Sequence, residues 1–103
     1  METLNIPNKE KLIGVLRQNQ IDFAALFGSR AKGTEKSNSD YDILIEFSPN
    51  ARVGLFQYQE IEDEVSSALG KKVDLVTVGG IDKYIKEEVL RTMRIIYDNR
   101  PKK

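Results

Sequence analysis

Two apolar runs of strand length constrain this chain most. Ile21–Phe27 (IDFAALF) and residues 40–47 (DYDILIEF) are short and rich in aromatic and aliphatic residues, which favours buried strands over helices. The first stops at Gly28, and the second ends in the turn cluster Ser48-Pro49-Asn50. A third strand is expected at residues 73–78 (VDLVTV), ended by Gly79-Gly80, and a short terminal strand or extended segment at Ile95, Ile96 and Tyr97. Helical spacing fills the rest. Leu12, Ile13, Val15 and Leu16 follow Pro7-Asn8. Leu55–Leu69 puts Tyr58, Ile61, Val65, Ala68 and Leu69 on one face, with Gly70 as the residue that ends it. Residues 81–93 carry Ile81, Ile85 and Val89 four apart. The order αβ(α)βαβαβ predicts an α/β (α+β) fold, a small mixed β-sheet flanked by helices. At 103 residues, with no repeat or linker, one domain over residues 1–103 is expected.

Composition then removes whole classes of chemistry. There is no cysteine, so disulfides, zinc–thiolate sites and thiol catalysis are excluded. There is no histidine, so the commonest general base and transition-metal ligand are missing. Catalysis here must run on carboxylates, hydroxyls, Lys, Arg, Tyr, backbone groups or a hard metal ion. Lys plus Arg and Asp plus Glu both total 16, and a net charge of zero argues against general nucleic-acid binding. No apolar run is long enough to cross a bilayer, and METLNIPNKE lacks the apolar core of a signal peptide. A soluble, cytoplasmic protein is expected.

Three carboxylates interrupt the predicted strands. Asp40 and Asp42 are two apart in one strand, so their side chains leave the same face, while Tyr41, Ile43, Ile45 and Phe47 take the core face. Two such charges repel, and each raises the other's pKa unless something neutralises them. Oxygen ligands at this spacing suit Mg²⁺ or Mn²⁺. Asp74 lies inside an apolar strand, where a charge is costly unless paired or metal-bound. If that strand lies beside residues 40–47, Asp74 completes a cluster of three. Taken alone, Asp-x-Asp is met more often in solvated turns, and Asp74 beside Lys71 and Lys72 fits an exposed strand start.

Upstream, Gly28-Ser29 follows a strand and opens the polar stretch GSRAKGTEKSNS at residues 28–39, read as a turn, one helical turn and a loop. A glycine lets backbone approach a ligand closely, and a serine hydroxyl with helix N-terminal amides makes a phosphate site. Gly33 suits the turn that leaves the helix, and Arg30, Lys32 and Lys36 add positive charge. A tight turn with a capping serine explains Gly-Ser alone equally simply. No Gly-x-x-x-x-Gly-Lys-Ser/Thr is present, so this is not a P-loop. A phosphate-cradling turn, paired carboxylates and a third carboxylate together equip a chain for metal-assisted attack on a nucleoside triphosphate.

Gly28-Ser29-Arg30-Ala31-Lys32-Gly33 followed by Ser39-Asp40-Tyr41-Asp42 resembles the signature of the minimal nucleotidyltransferases of the DNA polymerase β superfamily. The pattern is Gly-Ser, ten residues, then Asp-x-Asp, and Val73-Asp74-Leu75-Val76 stands where that family has its third carboxylate. The resemblance covers nearly the whole chain and implies that family's fold.

It also implies roles. Gly28 and Ser29 hold the β- and γ-phosphates, with Arg30 and Ser39 in the same nucleotide-binding set. Ser39 is better placed to orient the loop or cap Asp40 than to touch substrate. Arg30 and Lys32 cannot both face the phosphates from so short a helix. Asp40 and Asp42 bind two Mg²⁺ ions (Mn²⁺ as substitute). Asp74 binds the metal that activates the acceptor hydroxyl and is placed to take its proton. ATP is the implied donor and pyrophosphate the leaving group. Asp63, Asp82 and Glu46 have no motif support. Beyond this core there is only a helix, a short strand and a basic tail (Arg94, Arg100, Lys102, Lys103) expected to fray, so another molecule must complete the acceptor site. In the resembled family, small members are often encoded beside a HEPN-domain protein, and some act as the antitoxin of that pair by transferring AMP to a tyrosine of the toxin. That makes a hetero-oligomer with such a protein, or a self-associated complex, the expected assembly. Three other readings remain: a nucleotidyltransferase of aminoglycoside type working in a complex, which would label a small molecule; a binding-only antitoxin or scaffold, which would tolerate Asp42→Asn; and a plain metal- or nucleotide-binding domain, which would bind Mg-ATP and release no pyrophosphate.

Overall fold

The computed structural model describes residues 6–33 and 40–100. Its elements are α1 (Lys9–Gln18), β1 (Ile21–Phe27), α2 (Ser29–Lys32), β2 (Tyr41–Phe47), α3 (Leu55–Leu69), β3 (Val73–Thr77), a 3₁₀ turn (Val78–Gly80), α4 (Lys83–Thr92) and β4 (Arg94–Asp98). The order is the expected one, with small shifts at the ends. Asp40 stands one residue ahead of β2 rather than inside it. Val78 leaves the third strand for the 3₁₀ turn, where the Gly80 N–H donates to Thr77 Oγ1 at 3.1 Å. Helix α4 starts after Ile81, because the Asp82 carboxylate accepts the Tyr84 N–H at 2.8 Å and caps it.

The four strands form one sheet in the order β3-β2-β1-β4. Strands β1 and β2 are antiparallel, β1 and β4 are antiparallel, and β2 and β3 are parallel. The mixed sheet follows from connection length. A parallel neighbour needs a long crossover, and the fifteen-residue α3 supplies it between β2 and β3.

One face carries the main core, where Leu12 and Leu16 of α1 and Ile61, Val65 and Leu69 of α3 cover Ala24, Leu26, Ile43, Ile45 and Leu75. The other face is also covered in part. Phe23, Ala25 and Leu44 pack with Val89 of α4. The carboxylate face of β2 is therefore open at Asp42 and closed one step later at Leu44, which is fully buried. Of the three apolar positions spaced four apart, only Val89 is buried. Ile85 stays 47% exposed, because α4 touches the sheet near its C-terminal end. Near the chain's end Arg100 is pinned rather than frayed. Its guanidinium sits 4.1 Å from the Phe23 ring centroid and pairs with Asp98 and Glu46. Lys102 and Lys103 lie outside the described residues. Among the described residues no helix is long and apolar enough to cross a membrane.

Candidate active site

The site forms at one end of the sheet, where β1 finishes and β2 and β3 begin. Phe27 pairs with Asp42 across the antiparallel ladder, which sets Gly28 next to the Asp42 side chain. Gly28 has φ +75°, and a Cβ built there would overlap Asp42 Oδ2 and stand 3.3 Å from its Cγ. The backbone turn and the absent side chain are thus both required, one for conformation and one for space. Gly28 is followed directly by Ser29, the first residue of α2, and its carbonyl accepts the first helical bonds from Ala31 and Lys32 at 3.1 and 3.2 Å. Gly33, also at φ +75°, closes the helix as expected.

Asp42 and Asp74 are direct partners in the parallel β2–β3 ladder. In-register neighbours project to the same face from strands about 4.8 Å apart, so the two carboxylates stand side by side. Asp42 is half-buried, whereas Asp74 and Asp40 are exposed. The Tyr41 N–H donates to the Lys72 carbonyl at 3.0 Å and fixes the relative start of the two strands. Burial raises the Asp42 pKa above its ordinary 3.8, and the charges of Asp74 and then Asp40 push it further the same way.

Among the described residues no three acidic side chains come close enough together to hold a metal ion: Asp42 and Asp74 are paired, and Asp40, ahead of β2, does not complete the expected cluster of three. The donor set still fits a hard divalent cation, because Mg²⁺ is usually held by one or two carboxylates with water and substrate phosphates completing the shell. The raised Asp42 carboxyl, beside Asp74, marks the point where positive charge is wanted.

Two basic residues of α2 separate as the sequence required. Arg30 places its guanidinium 4.1 Å from the Tyr41 ring centroid, on the strand that carries Asp42. Lys32 turns to α4 and pairs with Glu88 at 2.9 Å. Ser39 and Lys36 lie outside the described residues.

Two residues near the site were not singled out by the sequence. The Tyr58 hydroxyl donates to the Leu75 carbonyl at 2.6 Å, and the Leu75 N–H donates to Glu62 Oε2 at 3.4 Å. Both come from α3, and Leu75 is the residue after Asp74. The helical spacing puts Tyr58 on the apolar face of α3 and leaves Glu62 off that face. A helix pattern does not say that the far rim of such a helix meets a sheet edge.

The chain belongs to the Polymerase beta, Nucleotidyltransferase family, whose model matches residues 10–102, and the glycine turn set against a carboxylate pair on two parallel strands is its candidate active site. Among its relatives is a candidate protein adenylyltransferase of Methanocaldococcus jannaschii, 34% identical over 80% of this chain and 86% of that one. A solved toxin–antitoxin crystal structure with AMP-PNP contains a chain of TM-score 0.73 and 27% identity, covering 90% of this chain and 75% of that one. The fold is shared with a solved complex of the tri-AMPylated HEPN toxin of Shewanella oneidensis and its MNT antitoxin. There the TM-score is 0.65 at 24% identity, over 88% of this chain and 70% of that one.

Proposed function

We propose that this chain transfers AMP from ATP to a hydroxyl of a partner protein, a tyrosine of a HEPN-type toxin, and acts as the antitoxin of that pair. The observation that carries the reading is the fit of Gly28 against Asp42, which joins the phosphate turn to the carboxylates as one site. The names of its relatives support the donor and the kind of acceptor.

Gly28 and Ser29, with Arg30 beside them, hold the phosphates, and Ser39 orients the loop ahead of Asp40. Asp42 and Asp74, with Asp40 beside them, would hold two Mg²⁺ ions, which would neutralise the triphosphate and lower the pKa of the acceptor hydroxyl. The tyrosine oxygen attacks the α-phosphorus, and a new P–O bond forms as the bond to the β-phosphate oxygen breaks. Pyrophosphate leaves, and the phenol proton passes to the Asp74 carboxylate, which is exposed and open to an incoming side chain.

The test mixes the protein, Mg²⁺ and a lysate of its source with ATP labelled at the α- or the γ-phosphate, with Asp42→Asn as control. A protein band labelled from the α-position alone, and lost in Asp42→Asn, is expected. Label on a small molecule would favour the aminoglycoside-type reading. No α-label at all would leave a binding-only antitoxin.

A further inference from the structure

We propose that Tyr58 and Glu62 are positioning residues for Asp74: by holding both backbone groups of Leu75 at the outer edge of β3, they keep Asp74 in register beside Asp42. The inference rests on the nucleotidyl-transfer reading of the carboxylates and names the two side chains on which their geometry depends.

Strand β3 is the weakest part of the site. It has five residues, lies at the edge of the sheet, and pairs only with β2, in the parallel manner that is slightly less stable per residue. Asp74 is exposed, so no packing around its own side chain holds it. Its place is set by the backbone on either side. One side is secured by the ladder to β2. On the other, an edge strand presents N–H and C=O groups that water ordinarily satisfies, and a strand held that way can slide or fray.

At Leu75 both groups are taken by α3. A strand residue aims its N–H and C=O to the same side, and here the hydroxyl of Tyr58 meets the carbonyl while the Glu62 carboxylate meets the amide. The two grips lie four residues apart on one helix, which is one turn, and close on a single residue of the strand. The helix itself is anchored, with Ile61 and Val65 fully buried. The Tyr58 ring is held against Phe47, centroids 6.3 Å apart, so the hydroxyl's position does not depend on its own bond. Burial raises the Tyr58 phenol, and the charges of Glu62 and then Asp74 add to it, so the hydroxyl remains a donor and lies within the field of the Asp74 carboxylate.

The test uses Tyr58→Phe, which removes the hydroxyl and keeps the ring, with Glu62→Ala and its conservative counterpart Glu62→Gln, whose amide oxygen still accepts. Asn8→Ala is the stability control. It removes a bond from the Asn8 side chain to the Ala68 carbonyl of the same helix, 3.0 Å long and remote from the carboxylates. Mn²⁺ binding to the nucleotide-free protein is measured by calorimetry, beside kcat and KM for ATP. Tyr58→Phe is expected to weaken Mn²⁺ binding about tenfold, the low end of what removing a ligand's supporting partner costs. It should lower kcat in step and leave KM for ATP unchanged. Glu62→Ala should follow it, and Glu62→Gln should return towards wild type. Mn²⁺ affinity that falls no further in Tyr58→Phe than in Asn8→Ala at equal loss of Tm would overturn the proposal, as would absence of Mn²⁺ binding by the wild type. If the wild type transfers no nucleotide yet Tyr58→Phe still weakens Mn²⁺ binding, the positioning role stands and the transfer reading alone fails.

Discussion

Gly28 and Asp42 occupy what would otherwise be the same space: the missing Cβ of one is where the carboxylate of the other lies. The Gly28 turn and the carboxylate pair are therefore mechanically coupled, and Gly33 offers an internal control. It shares the φ of +75° but, among the described residues, has nothing within 4 Å of its would-be Cβ. Gly33→Ala should cost only the left-handed backbone term, about 1–2 kcal/mol, and keep nucleotidyl transfer. Gly28→Ala should cost more and abolish transfer, because Asp42 must move. Denaturant unfolding with the label assay checks both, and equal stability loss in the two variants would count against the coupling.

Asp42 also predicts a pH dependence. Its folded pKa is raised, so between its ordinary 3.8 and the raised value the native state holds a proton that the unfolded chain has released. Native stability from this group is therefore present at low pH and lost as pH rises through that window. At neutral pH without metal, Asp42→Asn should melt higher than wild type and show less of this acid-side gain. Mg²⁺ should raise the wild-type Tm and raise that of Asp42→Asn less. A lower metal-free Tm for Asp42→Asn would make Asp42 a structural residue.

The two cations of α2 should behave differently. Lys32 pairs with Glu88 at an exposed position, and such pairs contribute little. Lys32→Ala should leave Tm and transfer nearly unchanged. Arg30 stacks on Tyr41 between the phosphate turn and β2, and a lysine cannot reproduce a planar stack. Arg30→Lys should raise KM for ATP. Equal kinetics for the two variants would sink the distinction.

Arg100 makes a prediction away from the site. Phe23 is 1% exposed, and its ring is covered by a guanidinium. Arg100→Ala should destabilise the fold by about 1 kcal/mol through lost cation–π contact and cover, with no change in transfer. Thermal melting at low and high salt separates the two contributions, since the stack persists in salt while the pairs to Asp98 and Glu46 weaken.

The strands and the motif were readable because each is local. Apolar length marks β1 and β2, and a fixed interval joins Gly28-Ser29 to Asp40 and Asp42. The adjacency of Asp42 and Asp74 needed one assumption, that the third strand lies beside the second, and the long α3 crossover supports it. The grips on Leu75 and the Arg100 cover on Phe23 were hidden for another reason. Each joins a polar side chain to a distant partner, and periodicity sorts residues into inward and outward without saying what an outward residue meets. Strand alternation puts Leu44 on the same face as Asp42, but a single strand does not reveal that α4 returns to bury it.

The pairing of Asp42 with Asp74 has a temporal consequence. The two are separated in sequence by all of α3 and become neighbours only when that crossover has closed. Such a long loop closure is a late and slow contact in the folding of a small domain. During synthesis, the Gly28 turn and Asp42 leave the ribosome before Asp74 and present only one carboxylate of the pair. On the proposed reading of the carboxylates, divalent-metal affinity is expected to report completed folding, and a chain stalled short of β3 should lack it.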